Sequence, residues 1–320
     1  LPHLILPHAS AANQAGQAAL ATLKLPQLER LLARLQPGSR WGDDEYTLSA
    51  PHELVLAGLH GWSGGDGRWP WAAHLARQDG LDSHDDGVRG WGLVTPCHWL
   101  VGSDQVSLVN PAALELQADE SQALLEALRP SFEAEGWELQ WGAPLRWYAR
   151  HTLLRDLATA SLDRVIGRNL DLWLRGLAPE ARRLRRLQVE AQMLWHDHPV
   201  NSAREARRDL SVNSFWLSGA GTPQAADALP AGTMVDDTLR TTLLADDWAG
   251  WCAAWQALDA GPIQDLLHAL DRKEPVSLTL CGERQAQRYD SPSATGLAGR
   301  WQRWRSQWQT APAQDVLAGL

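Results

Sequence analysis

The first apolar run, Leu4-Ile5-Leu6, has no polar residue between its members and is followed by small residues. That pattern predicts a strand buried on both faces that feeds a helix. Over residues 18–35 the spacing changes, and Leu20, Leu23, Leu28, Leu31, Leu32 and Leu35 return at helical intervals while Pro26 divides the segment in two. Ser49 is a helix-capping residue type, and Pro51 and Glu53 in the next turn predict a helix start there, with Leu54, Val55, Ala57 and Leu59 facing inward. Gly61-Trp62-Ser63-Gly64-Gly65-Asp66-Gly67 is turn chemistry, and a short helix is expected over 70–78.

Between 90 and 150 the pattern shortens to strands near 92–98, 105–108, 137–141 and 147–149, with a helix over 119–132. This reads as an inserted α+β layer spanning 91–160, which leaves 1–90 and 161–320 as the main α/β core. A helical stretch then runs to Asp197, where Arg182, Arg183, Arg185 and Arg186 alternate with Leu184 and Leu187 as on a solvated helix over a core. Strands are expected at 233–235 and 276–280, and an amphipathic helix at 263–270. Trp248, Trp251 and Trp255, and again Trp301, Trp304 and Trp308, recur at i, i+3 and i+7, which places each trio on one helix face. Core or interface packing is the favoured use of both stripes, and a Trp-rich assembly interface is one reading of the chain's role.

Composition sharpens this picture. The 320 residues hold 18 Trp against 2 Phe and 3 Tyr, so indoles fill the large aromatic positions and each buried N–H needs a partner. A net charge of -9 argues against a nucleic-acid surface, because such affinity comes from clustered Lys and Arg. No run of about 18 apolar residues predicts a membrane span. The apolar start is short, is interrupted by Pro and His, and lacks a basic leader, so it reads as a strand rather than a signal peptide. Cys97, Cys252 and Cys281 are few and widely spaced, which fits a reducing cytoplasm.

The densest chemistry lies in one block: His198-Pro199-Val200-Asn201, then Arg204, then Asn213-Ser214-Phe215-Trp216-Leu217-Ser218-Gly219-Ala220-Gly221. An HPxN turn, a spaced Arg, an Asn before an apolar strand and a closing GxG resemble archaeal-type cofactor-independent phosphoglycerate mutases and, more closely, bacterial phosphoglycerate mutase-like proteins of the RpfE regulatory type. The resemblance implies an alkaline phosphatase-like fold, a mixed or mostly parallel sheet flanked by helices, with an inserted α+β subdomain. It also places the family's nucleophilic serine at Ser49, within Ser49-Ala50-Pro51-His52-Glu53.

Departures from the family pattern shape the functional expectation. The resemblance implies a metal-holding Asp at the end of the first strand, where this chain has His8, and two histidine-bearing motifs after the GxG, where it has His268 alone. The substrate-gripping Arg pair of the family falls on Val109-Asn110-Pro111-Ala112-Ala113-Leu114, which has none. No metal and no cofactor are therefore expected, and His196-Asp197-His198 reads as a helix stop rather than a ligand trio. Anion binding, if retained, falls to Arg204, Arg207, Arg208, Asn201, Asn213 and the Gly219/Gly221 turn, for a small phosphorylated ligand or a protein partner. Three roles remain: a catalytically degenerate regulatory or ligand-sensing protein, which is favoured; an active mutase or phosphatase using Ser49; and an assembly subunit.

Overall fold

A computed structural model describes residues 2–103, 105–174, 181–292 and 312–320. In chain order the elements begin with β1 (His3–Leu6), α1 (Gln14–Leu20), α2 (Pro26–Leu32), β2 (Gln36–Trp41), α3 (Pro51–Leu59) and α4 (Trp71–Gln78). There follow β3 (Gly90–Cys97), β4 (Trp99–Val101), β5 (Val106–Leu108), α5 (Ala118–Ala134), β6 (Glu138–Ala143), β7 (Arg146–His151), α6 (Leu162–Val165) and α7 (Asp171–Leu174). Next come α8 (Ala181–His196), α9 (Pro199–Arg207), β8 (Ser214–Gly221), β9 (Thr233–Val235), α10 (Thr238–Leu244) and α11 (Trp248–Leu258). The chain closes with α12 (Gln264–Asp271), β10 (Ser277–Cys281), β11 (Ala286–Asp290) and α13 (Ala313–Ala318). It divides into two compact units, Leu1–His60 with Asp227–Leu320, and Gly61–Ala226. The α+β layer expected over 91–160 falls within the second of these units.

The first unit is built on a mixed five-stranded sheet in the order β2-β11-β10-β1-β9. β1 pairs in parallel with β10 (His3 opposite Ser277) and with β9 (His3 opposite Thr233), while β11 and β2 close one side antiparallel. Alternation along β1 decides the layers. Leu4 and Leu6 point into one core with Leu20, Leu28, Leu31, Trp251, Trp255, Ile263 and Leu267, whereas Ile5 points to the other face with Val55, Cys281 and Ala286. Helices therefore cover both faces, and the expected class, a mixed α/β sheet with a parallel centre flanked by helices, is what the chain adopts.

The segment over 18–35 divides at Pro26 as its pattern predicts, α1 ending at Leu20 and α2 opening at Pro26, and the second helix takes its cap from far away. Leu25 has no side-chain acceptor to offer at the start of α2, so the buried Asp259 carboxylate accepts from Leu28 N at 2.7 Å and Gln27 N at 3.2 Å. The first Trp stripe is core: Trp248, Trp251 and Trp255 meet edge to face with centroids 6.1 and 6.2 Å apart. The second stripe, at 301, 304 and 308, lies outside the described residues.

His3 gives the sheet a pH dependence. It is buried in β1 with its Nε2 2.8 Å from Thr279 Oγ1, and burial, helped by Arg288 and partly opposed by Asp290, pulls its pKa down to about 4. The native state then binds fewer protons than the unfolded chain between pH 6.5 and about 4, so stability falls as pH drops through that window. Chemical denaturation at stepped pH should show a loss on the order of 2 kcal/mol from this group, and His3→Gln should flatten that part of the profile.

The second unit is built on an antiparallel sheet in the order β6-β7-β3-β8. One face buries Phe215, Leu217 and Trp147 against Leu124, Leu128 and Phe132 of α5 and Leu187 and Trp195 of α8. On the other, Trp91 and Tyr148 meet Ala72, Ala73 and Ala76 of α4. Several indoles find the partners that burial demands: Trp147 Nε1 donates to Ser121 Oγ at 2.8 Å, Trp195 Nε1 to Leu124 O at 3.0 Å and Trp216 Nε1 to Ala160 O at 3.0 Å. Arg182, Arg183, Arg185 and Arg186 are exposed over buried Leu184 and Leu187, as the pattern of α8 predicts. Among the described residues, no helix is long and apolar enough to cross a membrane.

Candidate functional site

In sheets with parallel strands, ligands gather at the carboxyl ends of those strands. At the end of β1 the chain turns sharply through His8, which is buried and holds a left-handed φ of 60°. Cross-bonds fix this turn: Ala9 N donates to Cys281 O at 2.8 Å, Ala12 N to a Glu283 carboxylate oxygen at 3.0 Å, and Trp251 Nε1 to His8 O at 3.2 Å. The His8 ring lies 5.1 Å from that of His52, tilted by 48°, and one ring nitrogen of each comes within 4.8 Å of the other.

His52 stands in the first turn of α3, next to the Pro51 that opens the helix. Ser49 does not cap this helix. Ala50 holds the cap position, and the orphan donor there is satisfied by Glu53, whose carboxylate accepts from Ala50 N at 3.1 Å. Ser49 sits one residue earlier, 1% exposed, with its carbonyl accepting from Thr47 Oγ1 at 3.3 Å. A capping role read from residue type fails here because the neighbouring Ala adopts the extended cap backbone and borrows its acceptor from three residues on.

A pair of catalytic metal ions needs several carboxylate and imidazole ligands, some shared between the ions. In the first unit His8 and His52 are two imidazoles. Of the first unit's acidic groups near the ends of β9 and β10, Asp236 accepts from Thr238 N at 3.0 Å and Glu283 accepts from Ala12 N at 3.0 Å. Cys281, at the end of β10, is buried, and burial raises its thiol pKa, so thiolate is disfavoured. His268 is exposed on α12. These residues do not fit a two-metal phosphoryl-transfer centre.

The signature block folds in the second unit, where β8 pairs antiparallel with β3. Trp195 ends the core face of α8, and His198 then caps α9, its Nδ1 accepting from Val200 N at 3.2 Å with Pro199 at the first helical position. Burial lowers the His198 pKa, in keeping with an acceptor ring. Its neighbours His196 and Asp197 are exposed, 3.9 Å apart at the ion pair, and form no ligand trio with it.

Asn201 is buried and fully employed. Its amide donates to Trp195 O and Val212 O, both at 2.8 Å, and its Oδ1 accepts from Val212 N at 2.9 Å. Asn213 imitates a strand partner, accepting from Trp99 N at 2.7 Å and donating to Trp99 O at 3.0 Å. Arg204, 1% exposed, donates Nε to Leu210 O at 2.7 Å, Nη1 to Glu120 at 2.6 Å and Nη2 to Leu114 O. Burial alone would raise the Glu120 pKa, but the Arg207 and Arg204 hydrogen bonds and Gln117 N hold it below the usual carboxylate value.

Gly219 and Gly221 lie within β8 and make no separate phosphate loop. The pairing of β8 with β3 slips between Trp91 and Leu93, and Gly219 occupies this bulge with φ 59°. A Cβ there would stand 2.9 Å from Trp71 Cβ and 3.1 Å from Ala72 N, and one at Gly221 would stand 3.4 Å from Pro70 Cα. The glycines let α4 approach the sheet. Asn213 and Gly221 bracket the length of β8, about 25 Å of extended chain, so the block's candidates do not meet at one anion. Gly219→Ala should cost about 1–3 kcal/mol, from left-handed strain and the contact with α4, as read by thermal or urea unfolding.

Two features escaped the sequence reading. His52 carries no expected role, although its place in the first turn of a predicted helix is visible in the sequence. Glu120, the carboxylate that closes on Arg204 and Arg207, is 84 residues from Arg204, and no local signal joins them.

No protein-family model matches this chain, and no curated protein matches it. Among solved structures it is similar to a cofactor-independent phosphoglycerate mutase from Thermoplasma acidophilum, at 12% identity and a TM-score of 0.37, covering 99% of each chain. It is also similar to the PH0037 protein from Pyrococcus horikoshii, at 11% identity and a TM-score of 0.43, covering 91% of this chain and 87% of that one. Likeness at this level assigns no activity and no residue roles.

Proposed function

We propose that this chain is a phosphoglycerate mutase-like protein of the alkaline phosphatase-like kind and the RpfE regulatory type, which has lost two-metal phosphoryl transfer and serves a regulatory, ligand-sensing role in the cytoplasm. The observation that carries the proposal is the edge of the first unit's sheet. A buried, left-handed His8 packs on His52 where the family resemblance calls for an acidic ligand, and Glu283 and Asp236 of the first unit hold backbone amides. Ser49 is buried immediately before the helix it was expected to open. The Arg and Asn residues of the signature block support the same reading, since they brace α8, α9 and β8.

Metal content decides between this reading and an active enzyme. Full-length chain purified without chelator and dialysed against manganese or zinc is expected to carry fewer than two ions, by elemental analysis. Two stoichiometric ions per chain, lost together on His8→Ala, would restore the enzyme reading.

A further inference from the structure

We propose that the cleft between the start of α5 and the end of α9 binds a small zwitterion, amino acid to dipeptide in size, rather than a phosphorylated compound. The proposal rests on the ligand-sensing reading and names its site. The cleft encloses about 570 Å³, within the range of small-molecule sites. Its lining residues include Arg204, Arg207 and Arg208 and the acidic Glu115, Asp119, Glu120 and Asp209. Much of this charge is closed on itself. Glu120 receives Arg204 and Arg207 at 2.6 Å each, and Arg207 also reaches Asp209 at 3.0 Å.

What remains for a ligand is the exposed Arg208, which ends α9, and the exposed Glu115 and Asp119 on the segment that opens α5. Arg208 and Glu115 both terminate helical turns in the left-handed region, with φ of 64° and 46°, so their backbones are set by the helix ends. With three cationic and four anionic groups, the lining has an excess of one negative charge. A phosphate monoester, near two negative charges, meets that excess unfavourably. A molecule with a carboxylate for Arg208 and an ammonium for Glu115 and Asp119 matches both signs.

Isothermal titration of the full chain with L-glutamine, L-arginine, glycylglycine, 3-phosphoglycerate and inorganic phosphate tests this. At least one of the first three should saturate with a Kd below about 1 mM, weakened about tenfold or more by Arg208→Gln and by Glu115→Gln, and unchanged by Arg272→Gln in the first unit. Both cleft substitutions fall on exposed side chains, so circular dichroism should show intact folds. The proposal is overturned by no saturable binding of any zwitterion up to about 10 mM, by binding that both cleft variants retain, or by tighter binding of either phosphate compound. Such a result leaves the metal measurement untouched, whereas a loaded two-metal centre removes the sensor reading without altering the titration.

Discussion

Arg204→Ala is expected to destabilise the second unit by about 3–5 kcal/mol, because it leaves the Glu120 carboxylate and the carbonyls of Leu114 and Leu210 without their common donor in a buried setting. The Glu120 side chain keeps only 12% of its exposure, so water replaces the lost partner poorly. Arg207 bonds the same carboxylate, but its own side chain is 52% exposed. Arg207→Ala should therefore fall within about 1 kcal/mol of the parent. Urea denaturation of the two variants side by side checks the contrast. Equal losses would mean that Arg204 is not the internal strut described.

The second large effect is expected in the first unit. Trp251 is fully buried among Leu4, Leu6, Leu278 and Trp255, and its Nε1 holds His8 O at 3.2 Å. Trp251→Ala should cost about 3–5 kcal/mol through lost burial and the cavity it leaves. Trp251→Phe keeps most of the burial but strips the donor from His8, and should cost about 1–2 kcal/mol. Guanidinium unfolding measures both, and a Phe variant as damaging as the Ala variant would shift the importance of Trp251 from packing to the His8 turn.

Local pattern was enough to find β1, α4 and α5, because each writes its burial into neighbouring residues: Leu4-Ile5-Leu6 without a polar break, and Leu124, Leu125, Leu128 and Phe132 at helical intervals. β2 gave no such sign. Its sequence, Gln36-Pro37-Gly38-Ser39-Arg40-Trp41, is mostly exposed on a sheet edge, where Pro and Gly are tolerated and no apolar alternation is required. The sheet to which β8 belongs was illegible for a different reason. The strand's apolar run is equally suited to a central parallel strand or to an antiparallel strand buried on both faces, and only pairing with β3 decides between them.

The site was legible in its residue types and illegible in its contacts. His8 stood out because it ends the first strand, yet its proximity to His52 depends on how α3 returns over the sheet. By residue type, an Arg near a Gly-x-Gly turn suggests an anion, which makes Arg204 a candidate binding residue. The anion it meets is Glu120, supplied by α5. Asp259 shows the same limit in the core, capping α2 from 231 residues away. Motif reading identifies side chains able to hold a charge, and the tertiary fold settles whether that charge is a ligand's or the protein's own.

The account stands or falls on phosphoryl transfer. Interconversion of 2- and 3-phosphoglycerate, followed with manganese, magnesium or zinc present, is expected to stay at the buffer rate for the parent chain and for Ser49→Ala alike. Metal-dependent turnover by the parent that disappears in a folded Ser49→Ala variant would contradict it.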